Sequence, residues 1–309
     1  MKLRYIVTVL VMGLLMLSTE SVFSEDTVSM SEWKQIIEKI GTNGNINWSA
    51  GYIEAVGIGA PPEKFIGKIQ ARPMALRAAE LVAKRNLLEI TKGVRIDSTT
   101  LVKDFVVESD VINSQVEGIV KGATVVKQEY MSDGSVEVTV RMPLLGDFSS
   151  AIMPKALDKK PEGRSYTAEP RKPVAPPERP TAQPAAPPKA PATSSGSVYT
   201  GMVVDARGMQ TRPAMSPKIL DENGQEVYGS VVVEREFAVQ QGMSGYARDL
   251  TSAQSNARVT NNPLTVKGVK TQGPGKSDIV ISNADAAALR SAADNLSFMK
   301  KCRVMIVLD

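Results

Sequence analysis

Residues 51–59 read Gly51-Tyr52-Ile53-Glu54-Ala55-Val56-Gly57-Ile58-Gly59, and after the Pro61-Pro62 break residues 72–91 form a long periodic stretch. The first is a glycine-rich strand. The second places Leu76, Ala79, Ala83, Leu87 and Ile90 at helical spacing, with Arg77, Glu80, Lys84 and Arg85 mainly off that face. The alanines are small, so the helix can lie close to a sheet. Gly93 is a stop signal. Working outward, residues 123–130 and 135–142 flank Ser132-Asp133-Gly134. That is a hairpin, with Val136, Val138 and Val140 on one face and Glu137, Thr139 and Arg141 on the other.

Between helix and hairpin, Val94 and Ile96 start a strand, and residues 98–107 read as extended. Residues 109–120 fit either a helix or a strand, since Ile112, Val116 and Val120 satisfy both periods. Upstream, Trp33, Ile36, Ile37 and Ile40 suggest a short helix capped by Ser31 and ended by Gly41 and Gly44. Residues 46–150 thus form a first α+β domain, with residues 25–45 as a docking helix before it.

Residues 151–197 hold most of the prolines, mixed with Ala, Lys, Glu and Ser, and cannot bury a core. In polyproline form such a linker reaches on the order of 100 Å. It is either a spacer that lets two domains find separate partners or a passive tether. Residues 198–309 form a second α+β domain. Its expected elements are strand 199–204, hairpin 219–228 around Asn223-Gly224, a helix near 246–253, strands 264–269 and 278–281, helix 284–295, and a continuous apolar strand 303–308 placed centrally in the sheet. The fold class is therefore α+β: two small antiparallel-sheet-plus-helix domains joined by a Pro-rich disordered linker.

The N-terminus reads as an export signal. Met1-Lys2-Leu3-Arg4 is basic, residues 5–17 are apolar, and Val22-Phe23-Ser24 suits cleavage after residue 24. The apolar run is short beside the roughly 20 residues of a membrane span. The expected location is the periplasm or the outer-membrane surface, with no transmembrane span after cleavage.

Composition narrows the chemistry. The chain has no histidine and one cysteine, Cys302. That excludes Ser-His-Asp and Cys-His catalysis, imidazole zinc sites and internal disulfides. Cys302 enters the last strand as a small core residue. The formal net charge of +4 is carried by the linker, where Lys155, Lys159, Lys160, Arg164, Arg171, Lys172, Arg179 and Lys189 outnumber Asp158, Glu162, Glu169 and Glu178. The basic pI is therefore no sign of nucleic-acid binding. Gly57 and Gly59 make no phosphate loop, because Pro61-Pro62 stands where the helix start would be. Glu108 and Asp110 lack a pocket that would make them an acid–base pair.

The remaining candidate is Asp205-Ala206-Arg207-Gly208 with Arg212, just past a strand. Asp205, Arg207 and Arg212 are the candidate ligand or partner contacts, an arginine fork suiting an anion or a peptide carboxylate. The plainer alternative is an Asp–Arg pair that pins a loop. No cofactor, metal or catalytic residue is expected. On the helix of residues 72–91, Arg77, Glu80, Lys84 and Glu89 form a solvated or partner-facing surface.

The stretches Gly51-Tyr52-Ile53-Glu54-Ala55-Val56-Gly57, Arg77-Ala78-Ala79-Glu80, Lys84-Arg85-Asn86-Leu87-Leu88, Val94-Arg95-Ile96-Asp97-Ser98, Gly118-Ile119-Val120-Lys121-Gly122-Ala123 and Asp133-Gly134-Ser135-Val136-Glu137-Val138 together resemble one group. It is the LPP-twenty lipoprotein family and the N-terminal domain of flagellar assembly protein T. The resemblance implies a small α+β domain of the bacterial envelope, associated in the flagellar case with a ring around the basal body. It covers roughly the first third of the chain. This chain departs from the lipoproteins in having no cysteine after the signal. The second domain, with Thr200-Gly201-Met202-Val203-Val204-Asp205, looks like a module found beside such domains in exported bacterial proteins. The expectation is a non-enzymatic envelope structural or assembly protein, with envelope proteins, flagellar basal-body or outer-membrane components as partners and no nucleic acid. The alternative is a periplasmic module binding a cell-wall fragment or another anionic ligand.

Overall fold

The computed structural model describes residues 35–158, 199–291 and 293–309. The expected signal (1–24), the segment 25–34 and the linker from residue 159 to 198 lie outside the described residues. Two α+β bodies are present, in keeping with the expected class.

The first body is a five-stranded antiparallel sheet in the order β1-β2-β3-β5-β4, built from β1 (Ile37–Lys39), β2 (Gly44–Asn47), β3 (Tyr52–Gly59), β4 (Thr124–Tyr130) and β5 (Val136–Pro143). One face is covered by α1 (Ala71–Lys92). Ala75, Ala79, Ala83 and Leu87 are fully buried against Ile53, Ala55, Val138 and Val140. Gly57 and Gly59 permit that approach. A Cβ on Gly57 would sit 2.7 Å from Ala83 Cα and would also strike the backbone of Ala79; one on Gly59 would strike the α1 backbone from Ala75 to Ala79. The other face carries Arg141, which lies 4.0 Å from the Tyr52 ring and pairs with Glu54 at 2.6 Å.

Three expectations for this body are corrected. Residues 37–39 are a strand, not a helix; β-branched Ile36, Ile37 and Ile40 suit an edge strand, and Gly41 (φ 60°) is the turn into β2 rather than a helix stop. The expected docking segment is therefore part of the sheet. Residues 98–107 are not extended: Val94–Ile96 contributes one bridge, Arg95 to Leu101, and α2 (Val102–Glu108) follows. Val102 and Phe105, one helical turn apart, both enter the core, and the Asp104 carboxylate accepts from Leu101 N at 2.7 Å. The ambiguous stretch is helix α3 (Asp110–Lys121), burying Ile112, Val116 and Val120. Finally, α4 (Asp147–Asp158) runs past the expected linker boundary at residue 151.

The second body is a seven-stranded sheet in the order β8-β7-β11-β10-β6-β12-β9. Its strands are β6 (Gly201–Asp205), β7 (Ile219–Leu220), β8 (Glu226–Tyr228), β9 (Gly245–Ala247), β10 (Pro263–Gln272), β11 (Asp278–Ile281) and β12 (Val304–Val307). This sheet is mixed rather than antiparallel: β6 pairs in parallel with β10 and β12, and β12 in parallel with β9. Continuous burial of β11 and β12 reflects cover on both faces. β12 lies one strand from the edge, so the central position belongs to β10 and β6. The helices are α5 (Arg235–Gln241), α6 (Leu250–Gln254), α7 (Asn283–Ser291) and α8 (Ala293–Lys300). The expected helix at 246–253 is instead strand β9 followed by α6, because Tyr246 pairs with Ile306 and the Asp249 side chain caps α6 by accepting from Ser252 N. Cys302 is buried at φ 53°, and burial pushes its thiol pKa up to about 11.

Candidate functional site

The two bodies meet along a seam to which five consecutive residues, 212–216, contribute a run of polar contacts, beside the packing of α4 on α5. Arg212 Nη2 donates to Glu38 Oε1 at 2.9 Å. The Pro213 carbonyl accepts from Arg95 Nε at 2.9 Å. The Tyr246 hydroxyl donates to the Ala214 carbonyl at 2.6 Å and accepts from Ala214 N at 2.9 Å. Met215 N donates to Arg95 O at 3.0 Å, and Ser216 N to Ile96 O at 2.6 Å. The segment is a strap that adds itself to the Arg95–Ile96 backbone of the first body.

Glu38 is the hub. Its Oε2 also accepts from the Arg95 guanidinium and from Trp48 Nε1 at 3.1 Å. The Arg95 side chain is 7% exposed and that of Glu38 18%, so this is a largely desolvated pair. Burial pushes the Glu38 carboxyl up, but the Arg95 and Arg212 guanidinium groups and the Trp48 N–H more than offset it, leaving its pKa below the ordinary glutamate value. Beside it the Trp48 and Tyr246 rings pack edge to face at 6.0 Å and 74°. Burial raises the Tyr246 hydroxyl to about 12, so it stays protonated and can donate. Further along, Ser98 Oγ donates to Asp278 Oδ2 at 2.6 Å, Gly275 N to Ser98 O at 2.7 Å, and Ser49 Oγ to Tyr246 O at 2.8 Å.

A pH dependence follows from Glu38. Its folded pKa is depressed, so its contribution to stability is complete above the unfolded value near 4.5 and is lost as pH falls through the folded value. Asp278 has the opposite sign: burial raises its pKa despite the hydrogen bond from Ser98, so its protonation does not weaken the fold. The stability difference between wild type and Glu38→Ala, read from urea midpoints, is expected to be largest near neutrality and to shrink below about pH 4.5. A difference that grows in acid would contradict the assignment.

The candidates from the sequence are placed apart. Arg207 binds Asp205 with both prongs of its fork, at 2.8 and 2.7 Å, and its guanidinium lowers the Asp205 pKa. Gly208 N donates to both Asp309 carboxylate oxygens at 2.9 Å, so the loop is tied to the chain end. Arg212 turns instead to Glu38. The two arginines are thus committed to two separate carboxylates, Asp205 and Glu38. Arg77 is exposed and Glu80 half-buried on α1. Among the described residues no three Cys, Asp or Glu side chains converge as metal ligands, and no helix is long and apolar enough to cross a membrane.

Two hollows adjoin these elements. One of about 90 Å³ lies at the seam against Trp48, Ser149, Tyr246 and Arg258, a space of roughly three waters. Arg258 there donates to the carbonyls of Gln241, Gly242 and Cys302, so its guanidinium fastens backbone. The other, about 410 Å³, is an open trough between Gly118, Gly122, Thr124, Arg141 and Asp147. Its one arginine is already paired with Glu54.

Glu38, Arg95, Trp48 and Tyr246 were not marked by the sequence reading. A signal existed: a glutamate inside Ile-Ile-Glu-Lys-Ile and an arginine between Val94 and Ile96 are charges within apolar runs, where a buried charge must find a partner.

Residues 201–309 match the protein family described as Treponema pallidum Tp0624, second domain. That stretch is about a third of the chain and coincides with the second body from the first residue of β6. No curated protein matches the chain.

Proposed function

We propose that this chain is an exported bacterial cell-envelope protein with a structural or assembly role, acting by protein–protein contact rather than by catalysis. The seam carries this reading. The arginine that looked available for a ligand, Arg212, reaches across to Glu38, which Arg95 of the same first body holds in place while its own Nε reaches the Pro213 carbonyl of the second. A largely desolvated ion pair of the first body that anchors bonds from the second suits a rigid platform. The similarity of the second body to a treponemal domain and the signal-like N-terminus support a bacterial, exported setting. The resemblance of the first body to the LPP-twenty and flagellar assembly T domains extends the proposal to basal-body or outer-membrane components as partners.

Crosslinking in intact cells, followed by identification of the attached proteins, tests this. The expected result is recovery of a defined set of envelope proteins with the wild-type chain and less of it with Glu38→Ala. Recovery of the chain alone, or of cytosolic proteins only, would overturn it. The alternative of an anionic-ligand module at Asp205, Arg207 and Arg212 requires these arginines to leave their carboxylates. It predicts a rise in melting temperature with cell-wall fragments that Arg207→Ala abolishes.

A further inference from the structure

We propose that residues 61–72 of the first body form a tip that docks onto a membrane surface bearing anionic lipid headgroups. Ile69 is 93% exposed and Ile66 66% exposed, on a chain whose other isoleucines are mostly core. They do not project by looseness. A 3-10 turn at Glu63–Phe65 and successive bonds from Phe65 N to Pro62 O, Ile66 N to Glu63 O, Lys68 N to Phe65 O and Ala71 N to Lys68 O hold the loop. Ile66 and Ile69, three residues apart, are held outward by it. The same loop carries three cations: Lys64 Nζ and Lys68 Nζ lie 5.1 and 5.6 Å from the Phe65 ring centroid, and the Arg72 guanidinium 5.8 Å from that of Tyr130.

Shape and charge together select the occupant. Ile66 and Ile69 project into solvent from a loop held by its own backbone bonds. Two exposed aliphatics on a loop that also carries three cations suit an interface with apolar chains below and negative headgroups above. Glu63 is the one acid within the loop. On the adjoining hairpin, Asp133 accepts from Ser135 and Glu129 is paired with Lys127 at 2.9 Å. Each lysine near an anionic surface strengthens binding about fivefold, and the attraction is screened by salt. The docking surface does not depend on which proteins the chain contacts.

The test uses the full chain and a probe that reads position, because the apolar residues 5–17 could bind lipid by themselves. Cys302 is buried with its thiol pushed up to about 11, so an introduced cysteine takes the label selectively. Ile69→Cys, and Val231→Cys on the second body as the control (Val231 is 63% exposed), are labelled with an environment-sensitive nitrobenzoxadiazole dye. With phosphatidylglycerol–phosphatidylcholine vesicles, the dye at position 69 is expected to shift to the blue and that at 231 to stay unchanged. Adding Lys64→Glu and Lys68→Glu should raise the lipid needed at least tenfold, on the order of the two charges combined. No shift at 69, an equal shift at both positions, or an equal response to phosphatidylcholine alone would overturn the proposal. A shift that appears without vesicles as protein concentration rises would overturn it in favour of a second copy of the chain.

Discussion

Replacing Glu38 by alanine is expected to destabilise the chain by about 3–5 kcal/mol, the range for removing one partner of a buried ion pair. The loss would be read as a fall in the urea midpoint. Arg95 would retain only the Pro213 carbonyl among the side-chain bonds described, with its guanidinium almost fully shielded from water. Arg212 and the Trp48 N–H would lose their acceptor as well. The matching control is Asp205→Ala. Its partner Arg207 is substantially exposed, so that change is expected to shift stability by no more than about 1 kcal/mol. Similar losses for the two variants would mean that the seam pair is as well screened as the surface pair.

Gly57→Ala is the second large effect, expected at about 3 kcal/mol, the upper part of the overpacking range. The added methyl meets backbone atoms of Ala79 and Ala83, and a helix backbone cannot rotate away as a side-chain tip can. Either α1 lifts from β3, opening a gap over Ile53 and Ala55, or the strand bends. Gly118→Ala supplies the opposite sign. Gly118 lies inside α3 with nothing within 4 Å of an added Cβ, so the change is expected to stabilise by about 0.5–1 kcal/mol. Thermal or urea unfolding of the two variants separates a glycine kept for close approach from one that is merely tolerated.

The α+β class, the β4–β5 hairpin and the α1 face were legible because each has one dominant period. Alanine at every fourth position against a glycine strand can mean little other than a close helix–sheet contact. Residues 36–40 misled because three isoleucines satisfy helical spacing, while the decisive partner, β2, is joined by a glycine turn with positive φ that resembles a helix stop. Residues 102–108 misled in the opposite direction, valines around Phe105 suggesting a strand where burial follows a helical turn. The parallel pairs of the second sheet were out of reach, since β6, β10 and β12 are far apart in sequence and no local pattern reports which strands become neighbours. Arg212 was among the candidates legible in the sequence. Its partner Glu38 was not legible, because an arginine's partner 174 residues away leaves no trace in local spacing.

The Glu38 hub and the 212–216 strap fasten the two bodies into one unit. Differential scanning calorimetry of the full chain tests it most directly. One cooperative transition is expected in the wild type and two in Glu38→Ala, with the two bodies melting independently once the hub is gone. Two separate transitions already present in the wild type, unmoved by Glu38→Ala, would contradict it.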